Sequence, residues 1–84
     1  MNPPESIKLY IKPYCGWCHE AIDWLKERQI AFDTLDVTSD IEAMNEMVRK
    51  TGQTLTPVID VDGEILADFD VEQLDQFWSR ITSA

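Results

Sequence analysis

The first 37 residues carry a strand pattern, a helix pattern and a second strand pattern in succession, and this order limits the folds open to the chain. In Ile7–Lys12 apolar residues alternate with polar or amphipathic ones, which is the period of a strand. Pro13 ends that segment, apolar residues then recur at helical spacing up to Gln29, and Ala31–Val37 resembles a second strand. Two strands joined through a helix pair in parallel with a right-handed crossover. The sequence therefore predicts an α/β sheet.

A second helix is predicted after residue 38. Ser39 and Glu42 have the spacing of a capping box, in which two side chains satisfy backbone N–H groups at a helix start. Arg49 and Lys50 lie near its far end, where the helix dipole favours cations, and Gly52 is a suitable terminator. The apolar stripe of this helix is predicted to consist of Ile41, Met44 and Val48.

The last third of the chain predicts a hairpin and a final helix. Pro57–Val61 and Glu64–Ala67 are strand-like, and Asp62-Gly63 between them is a two-residue turn signal. The buried side of the final helix is expected to carry Val71, Leu74, Phe77, Trp78 and Ile81. The order β-α-β-α-β-β-α predicts one domain, spanning residues 1–84, with a four-stranded mixed sheet flanked by three helices.

Charge and hydropathy argue against several classes of partner. The chain has 16 acidic and 7 basic residues, and its formal net charge of −9 would repel nucleic acid phosphates and anionic lipid head groups. No apolar run approaches the roughly 20 residues needed to cross a bilayer. Met1–Glu5 also lacks the basic and then apolar pattern of a secretory signal. We therefore expect a cytoplasmic protein with no nucleic acid or membrane partner. We also expect it to be a monomer.

Cys15 and Cys18 form a Cys-x-x-Cys motif between the first strand and the first helix. A disulfide there would close so small a loop that it would add little stability, so the spacing favours redox chemistry. Unpaired N–H groups at the helix start would stabilise a Cys15 thiolate, the species that attacks disulfides. Cys18, one turn further inward, would stay a thiol and resolve the mixed disulfide. The pair predicts a thiol–disulfide oxidoreductase.

Neighbouring residues are expected to influence the cysteine pair. Trp17 would lie exposed beside the sulfur and offer a peptide-like substrate an apolar wall. Lys12, which leads into the motif, would either lower the pKa of Cys15 or bind a substrate carboxylate. Lys8 is interpreted as a solvated residue of the first strand.

Two binding functions fit the motif less well. Residues 15–19 spell the C-x-x-C-H of c-type haem attachment, but the strand content does not suit a small cytochrome. A structural zinc site needs four ligands, whereas Cys15, Cys18 and His19 offer three at most. His19 is therefore interpreted as a surface residue of the first helix.

These features resemble the glutaredoxin family over about residues 6–82. The resemblance depends on Lys12–Cys18 after a strand, Thr56-Pro57 before a strand, and Asp70 at the start of the last helix. It implies the glutaredoxin version of the thioredoxin fold, with a cis bond before Pro57. It also implies that glutathione serves as the reductant of protein disulfides and glutathione mixed disulfides, with no prosthetic group required.

The resemblance further implies a glutathione site beside Cys15. The Thr56 backbone would pair with the backbone of the tripeptide, and the segment Phe69-Asp70 would hold its γ-glutamyl end at a helix N-terminus. The residues implied as glutathione contacts are Lys12, Tyr14, Trp17, Gln53, Thr56, Pro57, Phe69 and Asp70.

Two departures from the family pattern leave alternatives open. Leu66 and Ala67 stand where glutaredoxins usually carry two glycines, and their side chains would crowd the γ-glutamyl pocket. Reduction by thioredoxin reductase instead of glutathione is therefore one alternative. Gly16 replaces a common proline, and in relatives the loss of that proline is associated with a glutathione-ligated [2Fe-2S] cluster between two subunits. An iron–sulfur scaffold or carrier with Cys15 as ligand is the other alternative.

Overall fold

The computed structural model describes residues 4–83, which fold into the predicted order of strands and helices. The N-terminal segment Met1–Glu5 lies partly outside this range. No helix within residues 4–83 is long and apolar enough to cross a membrane. The elements are β1 (Ile7–Ile11), α1 (Gly16–Glu27), β2 (Asp33–Asp36), α2 (Ile41–Thr51), β3 (Val58–Val61), β4 (Glu64–Ala67) and α3 (Val71–Thr82).

The sheet has the strand order β2-β1-β3-β4, which confirms the predicted four-stranded mixed sheet. β1 pairs in parallel with β2 and antiparallel with β3, and β4 continues the sheet as the second strand of a hairpin. Tyr10 near the end of β1 lies opposite Val58 at the start of β3. The segment that follows Ile11 and the segment that precedes Val58 therefore meet at the same end of the two central strands. These segments contain Cys15 and Thr56-Pro57.

Helices cover both faces of the sheet and enclose two apolar cores. The larger core packs α1 and α3 against the sheet and contains Ile7, Leu9, Ala21, Trp24, Leu25, Ile59, Val61, Phe69, Leu74 and Phe77. The predicted apolar side of α3 is confirmed, because Leu74 and Phe77 are buried and its other members pack against this core. The smaller core lies under α2 and contains Tyr10, Val37, Ala43, Met47 and Val58.

The start of α2 differs from the predicted capping box. Asp40, not Ser39, is the N-cap, and its carboxylate accepts hydrogen bonds from the backbone N–H groups of Glu42 and Ala43. The Ser39 hydroxyl instead donates to the carbonyl oxygen of Asp36 at 3.4 Å. A carboxylate directly before the first helical residue is a strong N-cap, and its charge also suits the helix dipole.

The buried side of α2 also differs from the predicted stripe. Ile41 is 71% exposed and Val48 is exposed, whereas Met44 is partly buried. The helix turns a different set of residues toward the sheet, at helical spacing: Ala43, Glu46, Met47 and Lys50. The prediction was right for Met44 and wrong for Ile41 and Val48, because two of the four residues that face the sheet are charged, and charged residues are normally assigned to the solvent side of a helix.

The two charged residues of that side take part in a polar cluster between α2 and the sheet. Lys50 Nζ donates to Asp60 at 2.6 Å, to the Tyr10 hydroxyl at 2.8 Å and to Glu46 at 3.0 Å. Tyr10 and Lys8 also donate to Glu46, so Lys8 is paired and not merely solvated as expected. Hydrogen bonds from Tyr10, Lys50 and Lys8 lower the pKa of Glu46 to about 2. The cluster therefore holds a carboxylate in its charged form against the sheet.

The turns follow the local sequence closely. Asp62 and Gly63 both have positive φ, 51° and 94°, as the predicted two-residue hairpin turn requires. Gly52 ends α2 with a left-handed φ of 71°. β2 is shorter than the predicted Ala31–Val37 segment and pairs with β1 at the edge of the sheet.

Candidate active site

A tight turn joins β1 to α1 and places Cys15 at the helix start. The backbone N–H of Cys15 donates to the carbonyl oxygen of Lys12 at 3.1 Å, which closes the turn. Cys15 is the N-cap of α1, with extended backbone angles of φ −91° and ψ 113°, and its Sγ accepts from the backbone N–H of Cys18 at 3.2 Å. This confirms the predicted helix start. The sulfur takes the place that a hydroxyl or carboxylate oxygen usually has at an N-cap.

The two cysteines are not joined by a disulfide, and they lie in different environments. Cys15 is half-buried, whereas Cys18 is fully buried on the inner side of α1. Burial opposes ionisation of Cys15, but hydrogen bonds from the thiol and backbone N–H of Cys18 and from the Thr56 side chain outweigh it and lower its pKa. Burial raises the pKa of Cys18 to about 11, and its hydrogen bond to Cys15 adds to this rise. The expected contrast between the two thiols is therefore present.

Lys12 is not among the main causes of the lowered pKa of Cys15. Its side chain is half-buried on the turn that precedes the motif. Of the two roles considered for Lys12, binding of a substrate carboxylate is the one that stays open.

The loop before β3 lies against the reactive sulfur. Cys15 Sγ is 3.7 Å from the carbonyl oxygen of Thr56, to which the thiol can donate. The bond between Thr56 and Pro57 is cis, as the family resemblance implied, and both residues are buried. The backbone N–H of Asp68 donates to the carbonyl oxygen of Pro57 at 2.8 Å, which brings the segment before α3 to the same loop.

Large apolar side chains next to these residues in the chain are exposed. Tyr14 precedes Cys15 and is 79% exposed, and Trp17 within the motif is 48% exposed, as predicted. Leu55, which directly precedes Thr56, is 53% exposed and was not singled out from the sequence. An apolar residue in a short loop before a Thr-Pro pair was the signal that could have identified it. The apolar surface of the site therefore includes the loop as well as the motif.

The Gln53 side chain is engaged within its own loop. Its Nε2 donates to the Thr51 hydroxyl at 3.2 Å, and its Oε1 accepts from the backbone N–H of Leu55. The Thr51 hydroxyl in turn donates to the carbonyl oxygen of Met47 at 2.7 Å. The amide of Gln53 thus connects the end of α2 to the loop that touches Cys15.

The segment implied to hold the γ-glutamyl group closes its own helix start. Phe69 is 1% exposed and belongs to the larger core, so its side chain is not on the surface. Asp70 is the N-cap of α3 and accepts from the backbone N–H of Gln73 at 2.9 Å. The Gln73 side chain accepts from the backbone N–H of Asp70 at 3.0 Å, which completes a capping box. Two polar groups of this helix start are therefore already paired.

The structure brings most of the predicted site residues to one end of the central strands β1 and β3. Cys15, Cys18, Thr56 and Pro57 form its centre, and the segment 68–70 joins it through Pro57. Gln53 is linked to it through Leu55. Across the part of the chain that the structure describes, no group of three or more His, Cys, Asp or Glu side chains could hold a metal ion.

Comparison with known proteins identifies the family. Residues 7–66 match the glutaredoxin family model, which covers more than half of the chain. The protein belongs to the glutaredoxin family. A glutaredoxin-like 8.6 kDa protein encoded in the rubredoxin operon of Clostridium pasteurianum is 34% identical over 70 residues, which cover 83% of this chain and 93% of that protein.

Solved structures confirm the thioredoxin-like fold of this glutaredoxin. The thioredoxin-like protein BC3987 superposes with a TM-score of 0.78 at 32% identity, over 86% of this chain and 99% of that chain. The glutaredoxin-like NrdH-redoxin from Escherichia coli superposes with a TM-score of 0.73 at 22% identity, over 95% and 99% of the two chains. The second similarity is one of fold.

The two expected departures from the family pattern, at positions 66–67 and at position 16, differ in how much they contribute to packing. Leu66 and Ala67 are half-buried in β4, where Leu66 packs partly against the larger core and Ala67 against the smaller one. Gly16, in contrast, is not required by packing, because a Cβ added there would meet no heavy atom within 4 Å. The residues at 66 and 67 therefore belong to the fold, whereas position 16 is open to solvent.

Proposed function

We propose that this glutaredoxin catalyses thiol–disulfide exchange through Cys15 and Cys18. The asymmetry of the pair carries the proposal: one half-buried sulfur at a helix start with a lowered pKa, and one buried sulfur with a pKa of about 11. Exchange needs a thiolate as attacking species and a second thiol that attacks only after the first has reacted. The two environments suit these two tasks, so Cys15 attacks and Cys18 resolves.

The reaction proceeds in two exchange steps. The Cys15 thiolate attacks one sulfur of a substrate disulfide, which forms a Cys15–substrate disulfide and releases the other substrate sulfur as a thiolate. Cys18, on losing its proton, attacks Cys15 Sγ, which releases the second substrate thiolate and leaves a Cys15–Cys18 disulfide. The substrate gains two electrons and the motif loses two. For a glutathionylated protein, attack by Cys15 alone releases the protein thiol.

Glutathione is the proposed reductant of the Cys15–Cys18 disulfide. One molecule forms a mixed disulfide with Cys15 and frees Cys18, and a second releases glutathione disulfide and restores the thiolate. The proposed contacts on the turn are Lys12, Tyr14 and Trp17, and those on the loop are Thr56 and Pro57. Phe69 and Asp70 would contribute backbone groups, since the Phe69 ring is buried and the Asp70 carboxylate is paired. Gln53 would act by holding the loop.

A second candidate reductant is thioredoxin reductase. The observation that favours it is the capping box of α3, because Asp70 and Gln73 already satisfy groups at the helix start that would receive the γ-glutamyl end of glutathione. In both cases we propose a cytoplasmic monomer that acts on disulfide-bearing or glutathionylated proteins.

Two single variants test the proposed function. Cys15→Ser is expected to abolish all exchange, and Cys18→Ser is expected to spare reduction of a glutathione mixed disulfide while impairing reduction of a protein disulfide. Equal losses in both variants would contradict the assigned roles. Each assay is run with glutathione and glutathione reductase, and again with thioredoxin reductase and NADPH. Turnover with thioredoxin reductase and NADPH alone would show that glutathione is not the reductant. The proposed exchange chemistry at Cys15 and Cys18 would still stand.

A further inference from the structure

The side chain of His19 contacts the turn that precedes Cys15. Its Nε2 lies 2.7 Å from the carbonyl oxygen of Pro13, six residues earlier. Its backbone N–H donates to the carbonyl oxygen of Cys15 at 3.2 Å. The backbone bond belongs to the helix itself, so the imidazole contact with Pro13 is what His19 adds, although the sequence assigns it only to an exposed helix surface.

The turn has little other support from packing. Pro13 and Tyr14 are exposed, and the space around Gly16 is open. The hydrogen bond from the Cys15 N–H to the Lys12 carbonyl closes the turn but leaves the Pro13 carbonyl free to bond elsewhere. The imidazole of His19 is the side chain that binds this carbonyl and ties the turn to the first turn of α1.

We propose that His19 is a positioning residue that keeps Cys15 Sγ in the N-cap position. The hydrogen bond from the Cys18 N–H to Cys15 Sγ, at 3.2 Å, requires the extended backbone that Cys15 has at the N-cap. Fixing Pro13 to the helix restricts the turn to conformations that preserve this geometry. Loss of the imidazole would let Cys15 leave the N-cap for part of the time, and the thiolate would lose that donor.

The contact also requires that one particular ring nitrogen carry a hydrogen. The Pro13 carbonyl oxygen can only accept, so Nε2 must carry a hydrogen. The neutral Nε2–H tautomer and the imidazolium both meet this condition, whereas the neutral Nδ1–H tautomer does not.

Variants at position 19 separate the hydrogen bond from the charge of the ring. His19→Ala removes the donor, and His19→Gln keeps an amide N–H at a similar reach without a titrating group. Lys26→Ala is the matched control, because Lys26 is an exposed basic residue at the far end of the same helix. The rate of alkylation of Cys15 is measured across a pH series, with the labelled peptide identified by mass spectrometry.

His19→Ala is expected to raise the pKa of Cys15 by roughly half a unit, which lowers the alkylation rate near neutral pH about threefold. His19→Gln should restore most of the rate, and Lys26→Ala should leave it unchanged. An unchanged pKa in His19→Ala overturns the proposal, and so does a His19→Gln variant that behaves like His19→Ala.

A nitrogen NMR measurement of the His19 tautomer tests the contact independently of reactivity. The Nε2–H form is expected in the neutral ring, and a predominant Nδ1–H form would overturn the proposal. This inference rests on the proposed role of Cys15 as the attacking thiolate. If wild-type Cys15 titrates as an ordinary thiol, the proposed function fails, while the tautomer measurement still reports on the contact between His19 and Pro13.

Discussion

The backbone N–H of Cys18 donates to Cys15 Sγ at 3.2 Å, so the second cysteine of the motif stabilises the first before any disulfide forms. The Cys18 thiol contributes to the same effect, because its hydrogen bond lowers the pKa of Cys15. Cys18, the residue proposed to resolve the mixed disulfide, therefore also supplies hydrogen bonds that favour the Cys15 thiolate.

We expect Cys18→Ala to raise the pKa of Cys15 and Cys18→Ser to change it less, because a serine hydroxyl can still donate to the sulfur. Alkylation of Cys15 across a pH series measures both variants against wild type. In the wild type, Cys18 should resist alkylation until the pH approaches its pKa of about 11. Identical Cys15 profiles for the alanine and serine variants would contradict the role given to the Cys18 thiol.

Glu46 should make stability depend on acid pH. Its folded-state pKa is lowered to about 2, below the ordinary value of about 4.3, so its contribution is fully present above pH 4.3 and is lost as the pH falls through 2. Glu46→Gln should lower the free energy of unfolding at neutral pH by about 1–3 kcal/mol, since the groups bonded to it lose a charged partner. The variant should also lose less stability between pH 4.3 and 2.

Urea unfolding followed by tryptophan fluorescence at several pH values checks this prediction. Glu42→Gln is the matched control, because Glu42 is an exposed carboxylate on the same helix. Parallel pH profiles for wild type and Glu46→Gln would show that the cluster does not hold this carboxylate in its charged form.

The side of α2 that faces the sheet can be tested with two truncations. Met47 is fully buried, so Met47→Ala should destabilise the protein by about 2–5 kcal/mol. Ile41 is 71% exposed, so Ile41→Ala should change stability by no more than about 0.5 kcal/mol. Thermal or urea unfolding measures both. Similar losses of unfolding free energy in the two variants would indicate that Ile41 is buried, as the sequence predicted.

Gln53→Ala separates a loop-holding role from a glutathione contact. Because the Gln53 amide bonds Thr51 and Leu55, its loss should lower turnover of a glutathione mixed disulfide and of a protein disulfide by the same factor. Each of the two lost hydrogen bonds is worth about 1 kcal/mol, so the loss of either one alone corresponds to about a fivefold effect on turnover. Gln76→Ala, an exposed glutamine on α3, is the control and should have no effect. A rise in KM confined to the glutathione substrate would instead identify Gln53 as a direct contact.

Most features that local sequence determines were predicted from it, with the N-cap of α2 as the exception. The strand and helix order, the hairpin turn at Asp62-Gly63, the end of α2 at Gly52 and the position of Cys15 at a helix start depend on neighbours within a few residues. Backbone preferences and helix-end hydrogen bonds act over that range, so a single sequence contains the information. The family resemblance supplied the cis Thr56–Pro57 bond, which the residues alone did not indicate.

Only the tertiary structure decided which polar groups find partners. Glu46 and Lys50 face the sheet because Lys8, Tyr10 and Asp60 meet them there, and Lys8 and Tyr10 are at least 36 residues away in sequence. A charged side chain belongs to the solvent side of a helix unless such partners exist, since burial of an unpaired charge is costly. The contact of Thr56 with Cys15 has the same origin, because the pairing of β1 with β3 brings together segments that the chain keeps far apart.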